Sequence, residues 1–235
     1  MSLVESKKIK PFLKLAKLYG YEIKERPYEL NIWGVRTDNT TPNSFDDKLF
    51  AFWKNDQGIW EGKSYNNTTD PGTYWLLNPM NPKGSAILKA GQYKNSHAIG
   101  THYTYTALVQ VKPVTVWRDY DRNAILDFNN GKEDTGYHGI NIHRAHATGT
   151  TKTIDKNSAG CQVFEDADDF ADFMKLAQKS KALYGNQFSY TLVDERAYAR
   201  QLKRYGAYII GGVIVATAIY IAYRTYKNKP LIPKL

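Results

Sequence analysis

Residues 205–223 (YGAYIIGGVIVATAIYIAY) carry no charged side chain over 19 positions. No other stretch constrains the chain as strongly. A helix of that length rises about 28 Å, close to the roughly 30 Å hydrocarbon thickness of a bilayer. Tyr205, Tyr208, Tyr220 and Tyr223 stand toward its two ends, where an interfacial aromatic belt belongs. Arg200, Lys203 and Arg204 precede the run, and Arg224, Lys227 and Lys229 follow it. The sequence thus predicts one transmembrane helix, a charged connector helix over 195–204 and a basic tail over 224–235. Both flanks are basic, so the charge rule for loops leaves the orientation open. Small residues Ala207, Gly211, Ala218 and Ala222 fall near one stripe, which predicts helix–helix self-association in the membrane.

The rest of the chain reads as one soluble domain. Its pattern has period two from about residue 29: Leu30-Asn31-Ile32-Trp33-Gly34-Val35-Arg36 alternates like a strand. Leu49–Trp53, a short piece at Trp60, Thr73–Trp75, Ala86–Leu88, Ala107–Val111, Val114–Trp117, Ile140–His143, Gln162–Phe164 and Phe188–Val193 are further strand candidates. Turn chemistry such as Asp38-Asn39-Thr40-Thr41-Pro42-Asn43 separates them. Residues 165–184 predict a helix, with Asp166, Asp168 and Asp169 at its start, Lys179 and Lys181 near its end and Gly185 as the stop. Residues 1–24 predict a basic amphipathic helix, started or interrupted at Pro11, that packs on the domain or lies on a membrane. The fold class expected is mainly β with a few helices (α+β), over 25–194.

The net charge of +9 suits an anionic partner, either lipid headgroups or an acidic wall polymer. The lysines are spread out and no nucleic-acid module is visible, so nucleic acid is not an expected partner. No cleavable signal peptide is visible, because lysines interrupt the apolar residues of the first 19 positions.

Cys161 is the one cysteine of the chain, so no intrachain disulfide holds the fold. It ends the turn Ser158-Ala159-Gly160-Cys161, which follows a strand ending in His143. A histidine near a cysteine can take the thiol proton and leave a thiolate nucleophile. In an extended Ile140-Asn141-Ile142-His143, Asn141 and His143 share one face and the isoleucines fill the core. Gly160 permits close backbone approach, and amides around Gly160 and Cys161 are candidates to stabilise an oxyanion. Catalytic candidates are therefore Cys161, His143, Gly160 and Ser158, the last as a residue shaping the turn. Asn141, Arg144, His146 and Tyr137 are the substrate-binding candidates. His143, His146 and Cys161 lack a fourth ligand for a closed zinc site, so neither metal nor cofactor is expected. Arg118, Asp119, Asp121 and Arg122 read as a solvated turn.

These residues resemble the L,D-transpeptidase catalytic domain (YkuD-type). That family has a histidine, some 14–17 residues, then Ser/Thr-His-Gly-Cys, matched here at His143, Ser158, Gly160 and Cys161. Fourteen residues separate His143 from Ser158. Thr69-Asp70-Pro71-Gly72-Thr73-Tyr74 is similar to the family's Thr-Pro-x-Gly-Thr-aromatic segment, and Gly139 to Ile142 to its glycine-containing approach strand. The likeness covers roughly 28–194. The chain departs from the pattern at Ala159, where the family has a second histidine, at Gln162-Val163 and at Arg144. His146 and His138 are the imidazoles that could replace the missing one.

The resemblance implies a β-sandwich or barrel and acyl transfer on peptidoglycan stem peptides. Cys161 would form a thioester, with His143 as base and then acid. An amine acceptor gives a crosslink and water gives hydrolysis. Papain-like wall peptidases place the cysteine before the histidine, and here the histidine comes first. The expectation is a membrane-anchored cell-wall enzyme of a bacterial envelope or of a bacteriophage virion membrane. A non-catalytic wall-binding protein on the same scaffold is the alternative.

Overall fold

The computed structural model describes residues 2–4, 6–128 and 132–196. The expected transmembrane helix, the basic tail, the small-residue stripe and most of the connector helix lie outside the described residues. Among the described residues, no helix is long and apolar enough to cross a membrane.

In chain order the elements are β1 (Ser2–Val4), α1 (Ser6–Tyr19), β2 (Asn31–Arg36), β3 (Asp47–Lys54), β4 (Trp60–Thr68), α2 (Thr73–Leu77), β5 (Ser85–Leu88), β6 (Gly91–His102), β7 (Tyr105–Gln110), β8 (Val114–Asp119), β9 (Glu133–Gly136), β10 (Ile142–Arg144), β11 (Gln162–Phe164), α3 (Ala167–Tyr184) and β12 (Phe188–Asp194). The class is mainly β with helices, as the sequence predicts.

One sheet runs β1-β4-β11-β10-β7-β6-β12-β2-β3, and β3 pairs back onto β4 along its length. The pairing therefore closes on itself, with β1 added beside β4. Closure leaves few free strand edges, the usual liability of a sheet of this size. A second sheet, β5-β8-β9, packs nearby.

The period-two pattern explains most of this. Leu30 and Ile32 enter the main core with Leu49, Ala51, Tyr65, Leu108, Phe164 and Leu192. Trp33 and Val35 face the other way and are buried too, because α1 covers them. Phe12 of α1 lies 5.3 Å from Trp33, 4.8 Å from Phe50 and 5.6 Å from Phe52. Burial of Ile9, Phe12, Leu15 and Ala16 at 3% exposure or less offsets the backbone hydrogen bond lost at Pro11, and the helix runs through it. Of the two placements open to the N-terminal helix, it takes packing on the domain. The second long helix behaves as expected. Asp166 caps α3 by accepting from the Asp168 and Asp169 amides, and Phe170, Phe173, Met174 and Ala177 are buried.

Several expectations are corrected. Thr73–Trp75 is the start of helix α2, not a strand, because Gly72 accepts from the Trp75 and Leu76 amides and turns the chain. Strand β6 spans 12 residues that the alternation did not mark, since polar side chains on both faces hide its period. The strand expected at Ile140–His143 starts only at Ile142 and ends at Arg144. β12 closes at Asp194, and helical backbone begins at Glu195, the first residue of the expected connector.

Candidate active site

β10 and β11 are parallel neighbours, with His143 opposite Val163. This pairing carries the end of the Ser158–Cys161 turn to the side of Asn141, whose carbonyl accepts from the Gln162 amide at 2.8 Å. Ile140 and Ile142 are buried in the core, as the alternation predicts. Cys161, His143, Asn141 and Arg144 then line one open cleft of about 540 Å³. Trp75, Met80 and Tyr103 edge it, and Met80 and Tyr103 are 73% and 88% exposed. Exposed apolar side chains beside polar groups are what a binding cleft presents.

The turn is built tightly. Gly160 has φ +122°, and a Cβ there would lie 2.0 Å from the Ala86 carbonyl oxygen of β5. Only glycine fits. Ser158 is 1% exposed. Its hydroxyl accepts the Gly160 amide at 3.1 Å and donates to the Cys161 carbonyl at 3.0 Å. Ser158 thus shapes the turn, as expected. The Gly160 amide, however, is already engaged by that hydroxyl, so of the two amides expected as oxyanion donors the one at Gly160 is taken. The Ser158 carbonyl accepts from the Gly72 amide at 2.9 Å. A Cβ on Gly72 would come 2.1 Å from the Asp155 carbonyl oxygen. The Thr69–Tyr74 segment and the cysteine turn, 86 residues apart between Gly72 and Ser158, are therefore packed backbone to backbone.

Beneath them lies a buried polar cluster. Arg36 is 1% exposed and donates to Thr69 Oγ1 at 2.8 Å, the Leu88 carbonyl at 2.8 Å and the Thr69 carbonyl at 2.9 Å. It also pairs with Asp70 at 2.8 Å. Asp47 accepts from the Thr69 amide and hydroxyl at 2.8 and 2.7 Å. Burial, and then Asp70, push the Asp47 carboxyl up, while Arg36 pulls it down.

At the site itself, His143 Nδ1 faces the Arg144 carbonyl at 2.9 Å and the Tyr105 hydroxyl at 3.3 Å. A carbonyl only accepts, so Nδ1 carries the proton and Nε2 is left as the acceptor. Burial, then the neighbouring His102, lower the His143 pKa to about 4, so the ring is neutral at pH 7. The Cys161 thiol donates to the Gly139 carbonyl at 3.2 Å. Burial pushes the thiol up to about 11, against a lowering backbone hydrogen bond from Asn141. Cys161 and His143 therefore rest as a neutral pair. Among the described residues they share no hydrogen bond.

A second imidazole stands beside His143, on a strand that sequence reasoning passed over. His102, at the end of β6, stacks on His143 with ring centroids 4.2 Å apart and planes 24° from parallel. The Asn141 side-chain oxygen accepts from the Gln110 amide at 2.9 Å. Its NH2 consequently donates to His102 Nδ1 at 3.1 Å, which puts the His102 proton on Nε2. The signal was weak because the β6–β7 hairpin turns at Tyr103-Thr104, with Tyr103 at φ +52° and no Gly, Asn or Asp to mark it.

The other named residues scatter. His138 borders the cleft but accepts from Arg118 at 3.0 Å and meets the Asp134 carbonyl at 3.0 Å, and His146 is exposed on the loop after β10. Tyr137, 69% exposed, lines a smaller adjoining cavity of about 220 Å³ with Arg118 and Ala159. Arg144 lies over the Tyr105 ring at 4.4 Å. Comparison with known protein families, curated proteins and solved structures finds no match.

Proposed function

We propose that this chain is a cysteine acyltransferase or peptidase acting on peptidoglycan stem peptides, of the L,D-transpeptidase kind, held to a membrane by its C-terminal segment. The observation that carries the reading is the meeting of Cys161 and His143 in one open cleft, with His143 oriented through Nδ1 so that Nε2 is free to accept a proton. Because both groups rest neutral, the thiolate forms only as substrate binds. His143 Nε2 takes the thiol proton as sulfur attacks the acyl carbon, and returns it to the leaving amine. The thioester then passes to an amine or to water. Lys156 and Arg144 at the cleft suit an anionic wall polymer.

The full chain, kept in detergent, is incubated with purified peptidoglycan beside Cys161→Ala and His143→Gln, and the muropeptides are weighed by mass spectrometry. New cysteine-dependent products are expected, with water added for hydrolysis and a joined mass for crosslinking. Absence of new products across several wall types would sink the enzymatic reading. The second reading, a wall-binding protein without turnover, is favoured by one observation: the thiol rests on Gly139 with its pKa high. Cosedimentation with peptidoglycan that Cys161→Ala leaves unchanged, without new products, would support it.

A further inference from the structure

We propose that Asp119, Asp121 and Asp127 form a calcium site at the end of β8. Each brings a carboxylate oxygen into one group whose members all lie within 4.8 Å of one another. Calcium–oxygen distances of 2.3–2.6 Å place ligand oxygens on one ion at most about 5 Å apart, so the group has the right span. The second observation is Asp119 itself. It is 0% exposed, and its Oδ2 accepts from the Asp127 amide at 3.0 Å. Its Oδ1 is buried with no hydrogen-bond partner among the described residues. A buried carboxylate oxygen without a donor is costly unless a cation completes it.

Two nearby cations have partners of their own. Arg118 donates to Asp134, the Gly84 carbonyl and His138. Lys132 sits over the Tyr120 ring at 3.5 Å. The donors are all hard oxygens with no histidine or cysteine, which selects against zinc and copper. Asp121 is exposed and Asp127 half-buried, leaving room for waters and a variable geometry. Calcium accepts that arrangement, whereas magnesium demands a near-ideal octahedron.

The ion would hold the loop after β8. That loop puts Leu126 into a cluster with Leu76, Ile87 and Trp117, and its Leu126 amide donates to the Thr40 carbonyl at 3.0 Å. Asp119 also pairs with Ser85 of β5, whose neighbour Ala86 packs on Gly160. Calcium would therefore brace the wall behind the cysteine turn.

The test is calorimetric titration of the full chain, in detergent, with calcium alone, followed by thermal unfolding. One saturable site is expected. At a hundredfold excess over Kd the Tm should rise by about 5 °C. Asp121→Asn, at an exposed position that leaves the core intact, should weaken binding at least about tenfold, since it removes one of three carboxylates. Magnesium at equal concentration should give a smaller shift. The proposal is overturned by no saturable binding up to about 10 mM, roughly tenfold above the weak end of known sites at about 1 mM. It is equally overturned if Asp121→Asn and Asp119→Asn both bind calcium as the parent does.

Discussion

Cys161 decides most at the scale of single residues, and its environment makes a direct prediction. The thiol donates to a carbonyl, and the imidazole lining the same cleft is neutral, so neither group holds the thiolate form at rest. With the thiol near 11, alkylation by iodoacetamide should speed up about tenfold per pH unit from 7 to 10, without a plateau. One cysteine makes the readout unambiguous by mass. A rate already level between pH 6 and 8 would mean a preformed thiolate–imidazolium pair and would contradict the neutral resting state. The candidate thiol, imidazole and turn residues were legible at this scale because chemistry and spacing sit close together in the chain. His102 was not, because it reaches His143 from 41 positions upstream, through a hairpin whose turn residues carry no signal.

At the scale of elements, two contacts hold the site together. The first is the approach of the cysteine turn to β5. Gly160→Ala adds a Cβ 2.0 Å from a backbone oxygen at a left-handed φ, where strain alone costs about 1–3 kcal/mol. Since a carbonyl cannot swing away as a side chain can, the loss should reach about 3 kcal/mol or more, read from urea unfolding. A loss below about 1 kcal/mol would show that the turn moves freely from β5. The second contact is the Arg36 cluster, which ties β2, β3, β5 and β12 to the segment before α2. Arg36→Met would leave Asp47 and Asp70 buried without their cation, and breaking a buried pair this way costs about 3–5 kcal/mol. Equilibrium denaturation would measure it, and a nearly unchanged midpoint would refute the cluster's role.

For the whole molecule the buried histidines set the acid limit. His97 is 0% exposed, its Nε2 donates to the Ile140 carbonyl at 2.8 Å, and burial lowers its pKa to about 4. An unfolded histidine titrates near 6.5, so the unfolded chain binds the extra proton first as pH falls. The stability from His97 is therefore complete above pH 6.5, declines as pH drops toward 4 and falls no further below that. At 1.36 kcal/mol per pKa unit this one group supplies at most about 3 kcal/mol of the acid slope. His143 adds a slope of the same sign. His97→Gln keeps a donor for Ile140 and removes the titration, so its unfolding midpoint should vary less between pH 7 and 4.5 than the parent's. An equal slope in both proteins would assign the acid limb elsewhere.

By itself the sequence determined what is local: the class of fold from alternation, helix α3 from its caps and charges, and the Cys161–His143 order from spacing. These follow from neighbours along the chain, whose geometry is set by backbone period and turn chemistry. Tertiary structure alone decided which imidazole stands beside His143, that the Gly160 amide is already bound, that Arg36 lies under the site and that three aspartates share one small volume. Those facts depend on strand pairing between distant segments. Closing β3 onto β4 and threading β10 beside β11 brings together residues that share no local pattern.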